Sequence, residues 1–537
     1  LNEKIARWHL LFIQYCKRDW AKIIFWLFGL GLFSGGFVPA FEEIAKGQGL
    51  VGMFETMKNP AMISIVGPTP IEKAVDYTIS AMYAHEMLLF CSLFAMIIST
   101  LHVISHTRKE EEQGLSEMVR SFQVGRQANS LAVIVETFVI NLLLAFFISG
   151  FIMLFNVQSF DLEGALLFAS AISLSGMLGA MLALVFAQLM STSSGAVGST
   201  LGFIGLLYIL RAGSDVSNLD LSTLNPMGWT YLTYPFTENH WLPLLYSAIL
   251  SVALFFFASF LENRRDMGTG YFPERGGKPE AKRTLLSIHG LLFRISRTTI
   301  ISWLLACFIL GATYGSIYGD MGVFLSSNEL VEQMFSQEGS SIEASFTATI
   351  MSILVLLTTI LPISLINKLF TEETSSRFSQ IFSTKVSRTR LFMTTVCLAV
   401  VAGMVGVFLV STGLGTAAIA ATTGDFELQF NDFLAAGYNL FPALLFFVGI
   451  ASVFLGWLPQ LNKIVYVYLV YTFVLNYFKD ILDLPEWINK TAIFNWPAEI
   501  PIESFDVTIF AVISVISLIL IVIGWLGYRR RDLVENN

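Results

Sequence analysis

The sequence predicts an all-α polytopic membrane protein of about twelve transmembrane helices, built as two parallel six-helix repeats. Three observations predict it. Only 13% of the 537 residues are charged, 55% are hydrophobic and the mean hydropathy is +0.67, whereas about 25% of a soluble globular chain is charged. The apolar residues fall in blocks long enough to cross a bilayer, about 20 residues at 1.5 Å rise. Lysine and arginine are crowded into alternate connections between those blocks.

Hydropathy places the spans of the first half at 22–41, 81–105, 129–154, 164–189, 196–212 and 241–261. Those of the second half fall at 299–318, 345–368, 390–412, 432–456, 462–481 and 506–527. Ahead of the first span, Ile5, Trp8, Phe12 and Tyr15 recur at helical spacing, which predicts an interfacial amphipathic helix. Lys4, Arg7, Lys17 and Arg18 interrupt this stretch, so it does not read as a signal peptide. Cys16, Cys91, Cys307 and Cys397 lie in or beside apolar spans without metal-type spacing and read as packing residues.

One set of connections holds Lys4–Lys22, Arg108–Arg126, Arg264–Arg297, Lys368–Arg390 and Arg529–Arg531; on the other side, 155–163, 319–344 and 413–431 hold no lysine or arginine, and the longest, 42–80, holds only Lys46, Lys58 and Lys73. The positive-inside rule therefore predicts a multi-pass protein of the cell membrane with both termini cytoplasmic. The net charge of −8 then reflects an acidic outer face (Asp320, Glu329, Glu332, Asp425, Glu427, Asp480 and Asp483), and nothing in it points to nucleic acid.

The halves echo each other. "EEEQGLSEMVRSFQVGR" at 110–126 aligns without gaps on "EETSSRFSQIFSTKVSR" at 372–388, an offset of 372 − 110 = 262. Likewise "RRDMG" at 264–268 follows the sixth span, and "RRDLV" at 530–534 the twelfth. The expected organisation is a first half at 1–261, a cytoplasmic linker with an interfacial helix at 262–298, and a second half at 299–537.

The segment between the second and third spans of each half is the candidate functional element. In the first copy, about 108–126, Leu115, Met118, Val119 and Phe122 form an apolar stripe at helical spacing; Glu110, Glu111, Glu112, Glu117, Arg120 and Arg126 supply charge. In the second, about 370–388, Phe378, Ile381 and Phe382 form a shorter stripe, with Glu372, Glu373, Arg377 and Arg388 around it. A helix resting on lipid favours lysine and arginine on its polar face. Two acid-headed copies at equivalent places fit a paired soluble protein better. No G-x-x-x-x-G-K-[ST] loop, GxSxG or HExxH occurs, and "STGLGTAAIAATTG" at 411–424 is glycine-rich but lacks the lysine and falls on the outward side. The chain is expected to be a transport subunit, not an enzyme, with no cofactor of its own.

Ionisable and amide groups inside a span are costly, so each is a candidate site. Glu86, Glu136 and Asn141 are candidates for a substrate path, against the alternative of hydrogen bonds between helices. Glu136 and Asn141, five positions apart, need not share one helix face. Arg211 and Asp215 are spaced to pair as a clamp at the outer mouth.

The run "HTRKEEEQGLSEMVRSFQVGR" at 106–126 resembles the pattern H-T-R-x-E-E-E-x-G-x-x-E-x-x-R-x-x-x-V-G-R of the fused twelve-span permeases of ABC exporters, in the ABC-2 superfamily and of the tetronasin or polyketide-antibiotic type. "KNPAMISIVGP" at 58–68, "LRAGSD" at 210–215, "NPMGWTYLTYPF" at 225–236, "RRDMGTGYFPERGG" at 264–277 and "GYRRRDL" at 527–533 are similar to that family as well. Ser376 and Ser379 depart from it, standing where the family usually has glycine and glutamate. The resemblance implies a permease that exports hydrophobic or amphipathic compounds by alternating access. It implies two copies of a separate ATP-binding subunit, carrying ATP and Mg2+, seated on coupling helices at 108–126 and 370–388. A proton-coupled secondary multidrug transporter and a sensory or mechanotransmitting ABC complex are the alternatives.

Overall fold

The computed structural model describes residues 3–46, 49–58, 60–272, 280–320, 341–374, 381–422, 428–477 and 485–532. Among them no β-sheet forms, and eleven helices are long and apolar enough to cross a membrane. The chain divides into two compact units, Leu1–Gly276 and Gly277–Asn537.

The first unit contains α1 (Trp8–Gly35), α2 (Val38–Ile44), α3 (Gly49–Met57), α4 (Pro60–Val66), α5 (Ile79–His106), α6 (Arg108–Glu112) and α7 (Leu115–Arg120). It continues with α8 (Ala128–Leu154), α9 (Leu162–Leu189), α10 (Ser193–Ser217), α11 (Leu219–Ser222), α12 (Gly228–Tyr231) and α13 (Leu242–Arg264). The most apolar window of α9 is 89% buried against 17% for α10, which makes α9 the central helix and α10 a peripheral one. Its small residues (Ala165, Ala169, Gly176, Gly179, Ala180 and Ala183) let α5, α8 and α13 close around it. Helix starts are capped in the usual way: Thr78, Asp161 and Thr192 accept the amides of Ala81, Gly164 and Gly195 at 3.1–3.2 Å.

Two expectations are corrected here. The stretch carrying Trp8, Phe12 and Tyr15 is not a separate interfacial helix but the first turns of α1. No glycine or proline interrupts the chain between Trp8 and Phe28, and the mid-helix charges are paired, Asp19 with Lys22 at 2.6 Å and with His106 at 2.7 Å. The segment 108–126 is not one continuous helix. Gly114, at φ +76°, separates α6 from α7 in a backbone region that glycine enters without strain. Beyond Arg120 the chain turns back to the N-terminal segment, where Gly125 and Gln127 donate to the Ala6 and Lys4 carbonyls at 3.0 and 2.8 Å.

The second unit contains α14 (Ile288–Ser316), α15 (Ile342–Thr358), α16 (Ile360–Thr374), α17 (Arg388–Ala421), α18 (Phe430–Asn439), α19 (Phe441–Trp457), α20 (Ile464–Tyr477), α21 (Glu486–Asn489) and α22 (Val507–Arg530). α14 lies along α17, and α19 along α22. The glycine-rich run 411–424, expected as an outer loop, instead supplies the last turns of α17, with 423 and 424 outside the described residues. The glycines serve packing: a β-carbon on Gly413 would strike the Phe308 carbonyl, and one on Gly311 the Val410 carbonyl. The span expected at 462–481 is described as a 14-residue helix, α20, with 478–484 outside the described residues. Near its end Asn476 is committed to polar partners, Ser352 at 2.6 Å and Asn495 at 2.8 Å.

Candidate functional site

The α5–α8 connection of the first unit is built around Glu111. Its carboxylate takes two parallel bonds from the Arg265 guanidinium (2.7 and 2.6 Å), one from the Gly268 amide (2.7 Å) and one from Arg108 (3.1 Å). Arg265 also donates to Gln188 at 2.6 Å, and Arg126 donates to the Arg265 carbonyl. Planar guanidinium and carboxylate match in shape, so this pairing fixes orientation as well as charge. The loop is thereby latched to the segment that follows α13.

The second unit repeats the arrangement at the aligned positions. Glu373 takes two parallel 2.6 Å bonds from Arg531, and Arg388 donates to the Arg531 carbonyl. The aligned acid, the arginine after the last helix and the arginine that ends the loop thus make the same contacts twice.

Several of the charges expected to face a partner are engaged within the unit. Glu110 is buried against Tyr15 (3.1 Å) and Arg18 (2.8 Å). Arg120 donates to the Arg126 carbonyl at 2.8 Å, and Glu112 accepts the Ser193 amide and hydroxyl at 2.9 and 2.6 Å. Glu372 and Glu373 are buried as well. Exposed on this loop are Lys109, Glu112, Glu117 and three apolar side chains: Leu115 is 40% exposed, Met118 60% and Phe122 68%. The inward charges hold α7 so that an uncovered apolar stripe points away from the unit. In the second copy Ile381 and Phe382 pack partly buried against the core, and Arg377 and Phe378 lie outside the described residues.

Within the first unit's helices, Asn141 reaches the Thr137 carbonyl (2.9 Å) and Ser99 (3.3 Å) and receives Ser173 on its own carbonyl (2.7 Å), tying α5, α8 and α9. It also lines a small cavity between α1, α5 and α8 with Trp26, Leu30 and Ile98. Glu136 is buried and meets His102 of α5 at 3.2 Å. Despite their five-residue spacing, Glu136 and Asn141 therefore both reach α5. Glu86 sits two turns into α5 with one carboxylate oxygen buried and lacking a hydrogen-bond partner. Beside it His85 bonds the Tyr77 hydroxyl (3.0 Å) and the Gly67 carbonyl (2.8 Å).

Arg211 and Asp215 pair at 2.9 Å with both side chains fully buried. Arg211 donates to the Ser64 and Ile65 carbonyls at 2.7 and 3.0 Å, while Asp215 accepts Ser222 at 2.5 Å and the Tyr231 hydroxyl. Burial, reinforced by the bond to Asp215, pushes the Tyr231 phenol up, so it stays a donor. The pair ties α10 to α4 and α12.

Two features escaped the sequence reading. Arg265 and Arg531 were visible only as part of a repeated "RRD", with no sign of what they bind. His102 and His106, four apart in "HVISH", put two imidazoles on one face of α5; that spacing was the available signal.

The fold and these sites define a polytopic all-α membrane protein whose two units each hold a latched loop beneath their helices. A family model described as the multidrug efflux system permease Rv1217c, C-terminal domain, matches residues 285–529. The chain is also 24% identical over 525 residues to the multidrug efflux system permease protein Rv1217c of Mycobacterium tuberculosis (strain ATCC 25618 / H37Rv), covering 96% of this chain and 94% of that protein.

Proposed function

We propose that this chain is the permease of a multidrug efflux system, moving hydrophobic or amphipathic compounds out of the cell with energy from a separate ATP-binding subunit. The observation that carries the reading is the α7 stripe. Leu115 and Met118 are exposed on α7 and Phe122 just beyond its end, while Arg120 ties the helix to the Arg126 carbonyl, a surface suited to a groove on a partner. The similarity to a protein described as a multidrug efflux permease supports the same reading.

In this account the latches have a mechanical role. ATP-driven closure of two subunits would push on the α5–α8 connection and its counterpart in the second unit. The Glu111–Arg265 and Glu373–Arg531 pairs would pass that push to the last helix of each unit, α13 and α22, rather than let the loops slide. Repetition of the latch fits a duplicated six-helix unit with both loops on the cytoplasmic side. ATP and Mg2+ would be held by the partner, and none of the residues above is assigned to them. Asn141 and Glu86 are among the polar groups within the helices with which an amphipathic substrate could exchange hydrogen bonds, whereas Glu136 is engaged by His102.

The test is reconstitution of the chain in proteoliposomes with and without an ATP-binding subunit from the same gene neighbourhood. Uphill drug transport requiring both that subunit and ATP is the expected result. Transport by the chain alone, driven by a proton gradient, would instead establish a secondary transporter.

A further inference from the structure

We propose that His102, His106 and Glu136 form a binding site for a borderline transition-metal dication, with Zn2+ the ion their chemistry fits, pinning α5 to α8 just inside the latched loop. One ligand atom from each of the three lies within 4.8 Å of the others, and all three residues are buried. The ligands come from two helices: His102 and His106 sit one turn apart on α5, and Glu136 faces them from α8.

Four observations carry the assignment. The His102 Nε2 and Glu136 Oε2 atoms stand 3.2 Å apart, close to the ~3.4 Å that a tetrahedral ion with ~2.1 Å bonds imposes on neighbouring ligands. The second carboxylate oxygen of Glu136, Oε1, is buried without a hydrogen-bond partner, and Glu136 itself is 1% exposed. Among the described residues the ion-pair partner of Glu136 is His102, and no lysine or arginine reaches it. A carboxylate in that position lacks compensation that a cation supplies. Finally, Asp19 on α1 holds Nε2 of His106 at 2.7 Å, and Lys22 and Arg18 hold Asp19 in turn at 2.6 and 3.2 Å. A carboxylate behind a ligating imidazole fixes its tautomer and raises its basicity; Nδ1 of His106 stands 2.9 Å from the His102 carbonyl and 2.8 Å from the Ser105 hydroxyl and would turn from those partners to ligate the ion.

The donor set selects the ion. Two imidazole nitrogens and one carboxylate oxygen suit Zn2+ and its neighbours, whereas Mg2+ and Ca2+ take mainly oxygen and Cu(I) prefers sulfur. The Trp26 ring stands edge-on to His102 at 5.1 Å between centroids, contributing an apolar wall to the site. With α5 and α8 bracketing the α6–α7 loop, an ion here would stiffen the base from which that loop projects.

The experiment uses the full-length chain, purified in detergent without a polyhistidine tag, stripped with a chelator and titrated with Co2+. One Co2+ per chain should bind with the strong visible absorption of a low-coordinate ion, Zn2+ should displace it, and Zn2+ alone should raise the Tm. His102→Gln and Glu136→Gln should each abolish both the absorption and the Tm shift. The proposal is overturned if the wild-type chain gives only the faint spectrum of aqueous Co2+ and an unmoved Tm, because the cluster then holds protons rather than metal. It is equally overturned if His102→Gln and Glu136→Gln bind as the wild type does. The wild-type titration decides the matter even where a variant fails to fold.

Discussion

Replacing Glu111 with glutamine tests the latch most sharply. The Glu111 and Arg265 side chains are only 7% and 10% exposed, and the carboxylate also holds Arg108 and the Gly268 amide. Removing one charge of such a buried, bidentate pair costs about 3–5 kcal/mol, because the arginine is left desolvated and uncompensated. Glutamine keeps the shape and part of the hydrogen bonding, so the lower end, about 3 kcal/mol, is expected. At ~1.4 kcal/mol per factor of ten, local opening of the loop then becomes more than ~100-fold easier. Exposed Glu117, six residues further on in α7, should cost less than ~0.5 kcal/mol when changed to glutamine. Hydrogen exchange of the full-length protein in detergent reads this locally: the Gly268 amide and the amides of α6 and α7 should exchange faster in Glu111→Gln and not in Glu117→Gln. The double variant Glu111→Gln with Arg265→Gln should open little more than either single one, since the two share one interaction. Equal protection in Glu111→Gln and wild type would refute the latch.

Other outcomes follow from the same structure. Glu373→Gln should loosen the second unit's loop in the same way, read as faster exchange across 381–388. Asp215→Asn strands a fully buried Arg211 and should cost about 3–5 kcal/mol, seen as a lower Tm and poor yield; an unchanged Tm would contradict the clamp. Gly413→Leu forces α17 away from α14 and should prevent stable folding, whereas Gly198→Ala, with open space around it on peripheral α10, should not.

How much was legible beforehand follows from which forces are local. Spans were readable because membrane burial demands long apolar runs, and α5, α8, α9 and α13 fall within a few residues of the expected limits. The fate of the run 411–424 was not readable, because glycine in a membrane sequence signals either a loop or a close helix contact. Only the position of Phe308 distinguishes them. Glu111 and Glu373 stood out as aligned acids, but their partners lie some 150 residues on, after the last helix of each unit (265 − 111 = 154; 531 − 373 = 158). Charge that looked available to a partner protein is satisfied within the chain. The apolar stripe of Leu115, Met118 and Phe122 was readable from spacing alone, since α7 is amphipathic by local pattern. The His102–His106–Glu136 cluster needs two helices side by side, which no sequence window contains.

Under the proposed function, α7 is where an external motor grips this chain. A photo-crosslinking amino acid placed at Met118, 60% exposed on α7, and in a control at Val75, 93% exposed on the connection before α5, tests it directly. With the ATP-binding subunit present in membranes, Met118 should yield a covalent adduct with that subunit and Val75 should not. A transport-competent assembly in which Met118 captures only lipid would contradict the account.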